Sequence, residues 1–378
     1  MKKILFLPLL QMQSGHHQVA EALMDALTEH AEGMVIKKME LLSYANKALE
    51  KVITNSYLKW IRYAPKTYHL AYKHYFSDPS KTDYFFKGYQ FYFIRKMEQL
   101  LSEEKPDLIV CTQAFPSYLL SKIKSKQRCE IPIINVYTDF FINSVWGKEG
   151  IDAHFLPSRE VKEKLSTQIT NENLIVTGIP VHEEILKNTV PIKTEGRPKI
   201  LISGGNCGLG RMLHIARELK KSSHFDFLVL CGKNKRLYEE IHSWNLASIQ
   251  PLPYLSSRLE MRQLYEEADA IITKPGGVTI SEALRKKIPI FIHSALPGQE
   301  EMNMRYLETQ HLVFNLKEGV SLEKQLLDTL YDDIKIKRWE QAMTAYHEGL
   351  ELKNPKDIVQ VIQQLLDGKT DRIQSLFS

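Results

Sequence analysis

The sequence predicts an α/β protein built as two doubly wound, Rossmann-like domains facing across a cleft. Three observations predict it. Two distant segments share a strand, glycine-turn, helix plan. The remaining strands are continuous apolar runs. A polar stretch carrying a proline and a glycine separates the two sets. The 378 residues suffice for two ordinary domains.

Lys3-Ile4-Leu5-Phe6-Leu7-Pro8-Leu9 reads as a buried strand, followed by a loop with Gly15 and a helix from about His16 to His30. Val19, Ala22, Leu23, Ala26 and Leu27 recur there at helical spacing. Further strands of the first half fall at Asp107 to Cys111, Pro132 to Tyr137 and Leu174 to Thr177. The plan restarts at Pro198-Lys199-Ile200-Leu201-Ile202-Ser203, enters Gly204-Gly205-Asn206-Cys207-Gly208-Leu209-Gly210 and predicts a helix to about Lys221. Strands follow at Phe225 to Cys231, Ala270 to Thr273 and Pro289 to His293. Unbroken apolar runs favour parallel strands covered on both faces. The polar segment Val190 to Arg197 is the expected linker. The organisation predicted is an N-terminal domain over 1–190, a second domain over 197–355, and a terminal helix in 356–378 packing back on the first domain. Ligands of such folds bind at the carboxyl ends of the strands.

Composition excludes several classes. An apolar content of 43% with 25% charged residues describes a globular protein, and a net charge of +5 is far from a nucleic-acid-type polycation. Cys111, Cys129, Cys207 and Cys231 form no C-x-x-C pair, which argues against a thiolate metal site and fits a reducing cytoplasm. The short apolar run after Lys2-Lys3 contains Pro8 and leads into Ser14-Gly15-His16 rather than a cleavage site. No stretch has the apolar length of a membrane span. A single glycine in the first loop argues against a dinucleotide-binding dehydrogenase.

The most informative stretch is Asp269-Ala270-Ile271-Ile272-Thr273-Lys274-Pro275-Gly276-Gly277-Val278-Thr279-Ile280-Ser281-Glu282-Ala283. A strand ends near Thr273, the chain turns at Pro275-Gly276-Gly277, and a helix starts at about Val278. Glycines admit a diphosphate close to the backbone, and the helix dipole favours its charge. Glu282, about one turn into the helix, suits a ribose diol. An ordinary strand–turn–helix with a solvated glutamate is the alternative. A second segment, Leu296-Pro297-Gly298-Gln299-Glu300-Glu301-Met302-Asn303, sets Gln299, Glu300 and Asn303 at the opening of the next helix, suited to sugar hydroxyls.

With Ser14-Gly15-His16, Lys105-Pro106-Asp107, Thr138-Asp139-Phe140 and Trp146, Thr177-Gly178-Ile179-Pro180-Val181 and Val229 to Asn234, these segments span most of the chain. In order and spacing the set resembles the monogalactosyldiacylglycerol synthase and processive diacylglycerol glucosyltransferase family, within glycosyltransferase family 28. It is more distantly similar to the lipid-linked N-acetylglucosaminyltransferase of peptidoglycan synthesis. The resemblance implies a GT-B fold and inverting transfer of a hexose from a UDP-sugar donor to a lipid acceptor such as diacylglycerol. It implies no cofactor and no metal, and no D-x-D segment lies beside a strand. By position, Gly276, Gly277 and Glu282 would hold diphosphate and ribose, and Gln299, Glu300 and Asn303 the sugar. Gly15, Gly204, Gly205 and Asn206 would line the phosphate side, with Leu255 offering backbone groups to the base. His16 would be the catalytic base, suited by a pKa near neutrality, and Asp139 would orient it. His17 is expected on the helix surface. Two positions depart from the family: Gln13 stands where a glycine is usual, and Asn143 where a histidine often precedes the tryptophan. A polyprenyl or small-molecule acceptor, or a catalytically weak nucleotide-sugar-binding protein, are the alternatives these departures leave open.

Residues 57–97 differ from the rest. Fourteen aromatics lie between Tyr57 and Phe93, and eight basic residues against two acidic ones give the segment a charge of +6, above that of the whole chain. Basic residues attract anionic headgroups, and Tyr and Trp favour the interface. Trp60, Arg62, Lys66 and Trp146 are the expected acceptor and membrane contacts. The protein is expected to be peripheral on the cytoplasmic face of the cell membrane. A packed helical insertion is the alternative for this segment. Aromatic–basic interleaving also suits single-stranded nucleic acid, but no nucleic-acid module accompanies it, and nucleic acid is not an expected partner.

Overall fold

The computed structural model describes residues 1–76, 79–169, 174–187, 196–204, 215, 218–296 and 298–368, with the side chains of 61–62, 65, 69, 72–73, 75–76 and 79–87 left out. The chain divides into two compact units. One holds residues 1–182 and 348–368 with 298–299; the other holds 183–296 and 300–347. The expected linker falls largely outside the described residues, and the division comes at His182–Glu183. Helix Glu183–Leu186 sits in the second unit, where the Glu184 carboxylate accepts a 2.6 Å hydrogen bond from the Arg262 guanidinium.

The first unit is a parallel sheet of β1 (Lys2–Phe6), β2 (Met34–Lys38), β3 (Leu108–Cys111), β4 (Ile133–Val136), β5 (Ala153–Leu156) and β6 (Leu174–Val176), in the order β2-β1-β3-β4-β5-β6. Strands β3 to β6 are buried at every position, as continuous apolar runs demand. Sequence reading misses β2, whose MVIKK alternates between half-buried and exposed at a sheet edge, and β5, whose AHFL includes a histidine. His154 is fully buried, its Nδ1 paired with the Tyr137 hydroxyl at 2.8 Å. Helix Gly15–His30 buries Val19, Ala20, Leu23 and Leu27, and helix Pro355–Leu366 packs against it. Proline at that helix's first position lacks only a donor the helix would not use.

The second unit repeats the design with β7 (Lys199–Ser203), β8 (Asp226–Leu230), β9 (Ile249–Leu252), β10 (Ala270–Thr273), β11 (Ile290–Ile292) and β12 (Phe314–Asn315), ordered β12-β11-β10-β7-β8-β9, all parallel. Both β9, which contains Pro251, and the two-residue β12 lie at edges and escape sequence reading. The helix expected after Gly210 lies largely outside the described residues.

Each sheet has a point where strand order reverses, and there the connections leave a crevice at the carboxyl ends. In the first unit the chain runs from β1 outward to β2 and returns to β3 on the other side. In the second it runs from β7 to β8 and β9 and returns to β10. The residues that open onto these two edges are the ones the sequence marks for chemistry.

Candidate active site

At the edge of the first sheet, the loop after β1 ends at Ser14, which caps helix Gly15–His30. The loop is tethered from both sides. The Gln113 side-chain oxygen accepts from the Leu9 backbone N–H. The Glu50 carboxylate, 5% exposed, accepts from the Gln11 N–H at 2.5 Å, and the Gln11 amide donates to Ser43 Oγ at 2.9 Å. This fixes His16 where β1, β3 and β4 end. Its Nδ1 lies 2.6 Å from Thr138 Oγ1. Burial pushes its pKa down to about 4, against an opposing pull from the Thr112 backbone carbonyl. The desolvated ring is thus neutral at pH 7, the form that accepts a proton.

Thr138, the neighbour of the expected Asp139, is thus a side chain in contact with the ring. Thr138 is buried, while Asp139 is half-buried and follows it in the chain. A threonine hydroxyl holds the imidazole without adding a negative charge beside it, so nothing in that contact offsets the desolvation. His17 also differs from expectation. It is 1% exposed rather than on the helix surface, its Nδ1 lies 3.2 Å from Ser14 Oγ, and its Nε2 has no partner. Of the two departures, Gln13 is exposed, and the Asn143 side chain accepts from the Val145 N–H at 3.1 Å.

At the edge of the second sheet, Ser203 pairs in register with Thr273 and Leu230, and Leu230 with Leu252. The residues following these four positions therefore share one rim. Gly204 follows β7 and is buried. Lys274, Pro275 and Gly276 follow β10 and lead into helix Gly277–Arg285. Gly276 is the cap residue, and the helix start carries no side-chain cap hydrogen bond. A Cβ built on Gly276 would meet nothing within 4 Å, and its φ of −83° suits any residue. The fold itself does not require glycine there, whereas a close-lying ligand would.

Behind the turn, Glu282 is 8% exposed, and its Oε2 accepts a 2.8 Å hydrogen bond from the buried Tyr265 hydroxyl. Burial raises the carboxyl's pKa, and the Tyr265 bond pulls the other way. The solvated glutamate of the alternative reading is thereby corrected: this carboxylate is held in place. Gly298 takes a φ of +96°, open to glycine but costly to other residues, and opens helix Gln299–Thr309. Gln299 and Glu300 are half-buried there and Asn303 is 1% exposed. Glu300 accepts from the Leu296 N–H at 2.6 Å, bracing the loop it follows. Leu255 is half-buried beyond β9, two strand spacings or about 10 Å along the rim from β7. Beside it the Lys233 ammonium lies 5.2 Å from the ring centre of Tyr254. Gly205 and Asn206 lie outside the described residues.

The aromatic, basic segment forms most of three helices, Lys47–Tyr63, Pro65–Phe76 and Pro79–Glu104. The root of the last packs on the core through Phe93, Met97 and Leu100. Beyond the root the arm exposes Trp60, Tyr63, Leu70, Tyr89 and Phe91, the last four by 63–73%. Trp60 donates from Nε1 to Thr67 Oγ1 at 2.8 Å, and Lys66 is exposed. The Arg62 side chain lies outside the described residues. Trp146, the other expected acceptor contact, is 7% exposed, with its ring 4.5 Å from that of Tyr137 in the core. Among the described residues no helix is long and apolar enough to cross a membrane.

Sequence reasoning passed over Thr138, Glu50 and Tyr265. Thr138 stood inside a quoted motif, but the side chains that these residues hold are distant in the chain.

Two parallel sheets, each with a polar constellation at its switch point, make a two-unit α/β protein of the doubly wound class. The chain matches the monogalactosyldiacylglycerol synthase model over residues 16–181 and the glycosyltransferase family 28 C-terminal domain over 203–362. It is 38% identical, over 96% of its length and 97% of the relative's, to an uncharacterized glycosyltransferase, YkoN, of Bacillus subtilis. A processive diacylglycerol beta-glucosyltransferase of Bacillus cytotoxicus is 25% identical, covering 87% of this chain and 86% of the relative. MurG of Acinetobacter baumannii superposes with a TM-score of 0.59 at 14% identity, over 96% of this chain and 100% of that one, a likeness that shows the GT-B fold alone. The chain belongs to glycosyltransferase family 28, with a monogalactosyldiacylglycerol-synthase-type N-terminal region, and is an enzyme of that transferase class.

Proposed function

We propose that the enzyme transfers a hexose from a UDP-sugar to the hydroxyl of a diacylglycerol-type lipid, with inversion and without a metal ion. The observation that carries the donor half is the uncapped start of helix Gly277–Arg285 at the switch point, with a buried, tyrosine-held Glu282 behind it. Backbone N–H groups and the helix dipole suit a diphosphate, and the Glu282 carboxylate suits a ribose diol. Gly204, Gly205, Asn206 and Gly15 are the further phosphate-side groups, Leu255 serves the base, and Gln299, Glu300 and Asn303 serve the sugar. Relatives named for diacylglycerol glucosyl transfer support the acceptor class.

In the reaction, neutral His16 takes the proton of the acceptor hydroxyl as its oxygen attacks the anomeric carbon. The bond from that carbon to the diphosphate oxygen breaks, and UDP leaves with the electron pair toward the helix start. Thr138 holds the His16 ring throughout. The leaving group's charge is met by the backbone dipoles of the helix start, so the step calls for no metal. Incubation with UDP-hexoses and diacylglycerol vesicles, read by lipid mass spectrometry, is expected to give a hexosyl-diacylglycerol at the same rate with and without chelator. Product only on a polyprenyl or water-soluble acceptor overturns the lipid assignment. Loss of product in chelator overturns the metal-independent one.

The exposed aromatics of the arm and its +6 charge support peripheral binding to an anionic, cytoplasm-facing membrane surface. Charge supplies long-range attraction that salt screens, and apolar insertion survives screening. Replacing Lys59, Arg62, Lys66 and Lys73 together by glutamine is expected to reduce co-sedimentation with anionic vesicles more than it reduces turnover of a detergent-dispersed acceptor. Equal sedimentation of both proteins, or none by either, identifies the arm as a packed insertion.

A further inference from the structure

Ser14 starts helix Gly15–His30 from extended backbone, with φ −147° and ψ 175°, yet its side chain makes no cap hydrogen bond. Ser158, Ser257 and Ser321 open their helices in the usual way. Each accepts from the backbone N–H three residues on, at 3.3 Å from Val161, 3.2 Å from Glu260 and 3.5 Å from Lys324. The residue three on from Ser14 is His17. Its N–H goes to the Ser14 carbonyl at 3.1 Å, and its imidazole Nδ1 lies 3.2 Å from Ser14 Oγ. The serine hydroxyl is drawn from the cap to a ring.

That arrangement costs stability twice. A serine that does not cap forgoes a bond worth having at a helix start. The His17 ring is 1% exposed, and among the described residues its Nε2 has no partner. An apolar side chain at this position would carry neither cost. What the histidine adds is a second bond between residues 14 and 17, spanning Gly15 and His16. Glycine is the most permissive backbone residue, and here it immediately precedes the base. The clamp removes the freedom that Gly15 would otherwise give. A local rule broken without gain to the fold is expected where function gains instead.

We propose that His17 is a positioning residue for the His16 base: by holding the Ser14 side chain it fixes the backbone from which the His16 ring reaches Thr138. This rests on the assignment of His16 as base above and deepens it. The part His17 plays is geometric. A base displaced from its productive position slows proton transfer, and small displacements suffice.

The test measures initial rates with UDP-hexose and diacylglycerol vesicles, together with thermal unfolding, on the full chain. Ser14→Ala and His17→Leu are each expected to slow turnover roughly 10–100-fold. The two combined are expected to be no slower than one alone, because both remove the same clamp. Placed on His16→Ala, His17→Leu is expected to cost nothing further, because the residue it positions is gone. The His17→Leu protein is expected to melt at or above wild type, since the unpartnered nitrogen is removed and Ser14 is released to its cap. Wild-type turnover by either folded single variant overturns the proposal, as does an equal slowing by His17→Leu with and without His16. Should His17→Leu not fold, the turnover of Ser14→Ala decides alone. Near-normal turnover by His16→Ala overturns the base assignment, and the positioning role with it.

Discussion

Replacing His16 by alanine is expected to lower turnover about 10²–10⁴-fold, the usual loss when a positioned base is removed. Donor binding is expected to hold, because His16 sits at the switch point of the first sheet, whereas the helix start at Gly276–Gly277 and Glu282 belong to the second unit. The pH dependence carries a sign that follows from burial. With the folded pKa pushed down to about 4, the imidazole stays neutral and able to accept a proton through pH 5. Activity limited by His16 protonation should therefore fall only near pH 4, not near the ordinary histidine value of 6.5. Stability moves differently. An unfolded chain takes up protons below about pH 6.5 that the folded chain refuses. Stability is thus fully present above that pH and declines between about 6.5 and 4, with buried His154, pushed down to about 3, adding to the same trend. The check is kcat/KM across pH 4.5–8 with circular dichroism at each point. A limb at pH 6.5 in a fully folded sample, or near-normal turnover by His16→Ala, removes the histidine from its assigned role. Replacing Thr138 by valine in the same assay separates positioning from proton transfer: turnover falls, and the limb moves because the ring loses its 2.6 Å partner.

Replacing Glu282 by alanine is expected to weaken UDP binding roughly 10–100-fold, the loss of hydrogen bonds to a charged group. The same change leaves the buried Tyr265 hydroxyl without its 2.8 Å acceptor, at a cost to folding of about 1–3 kcal/mol. The two effects must be read apart. Glu282→Gln keeps an acceptor for Tyr265 while removing the charge, so it should melt close to wild type and still bind UDP less tightly. Calorimetry with thermal unfolding on both variants provides the measurement. Wild-type affinity in folded Glu282→Ala would show that the carboxylate serves the packing of its own unit and not the ribose.

Much of this protein was determined by the sequence alone. Continuous apolar runs such as Ile4 to Phe6 and Ala270 to Thr273 have one stable use, a parallel strand buried on both faces, so the two sheets were legible. Glycines after strands marked the turns, and the family resemblance marked a histidine and a glutamate beside them as candidates. The edge strands β2, β9 and β12 were not legible, since a strand with one solvated side or two residues lacks the apolar signal. Tertiary structure decided the rest. It brought Thr138 onto His16 across 122 positions, Glu50 onto the loop at Gln11 across 39, and Tyr265 onto Glu282 across 17. It also moved Trp146 and His17 into the core. A side chain's partner depends on which strand ends meet at the switch point, and the strand order β2-β1-β3-β4 and β10-β7-β8 is set by packing of whole sheets rather than by residues near either partner. The sequence names the candidate groups; only the assembled sheet edge sets their protonation and orientation.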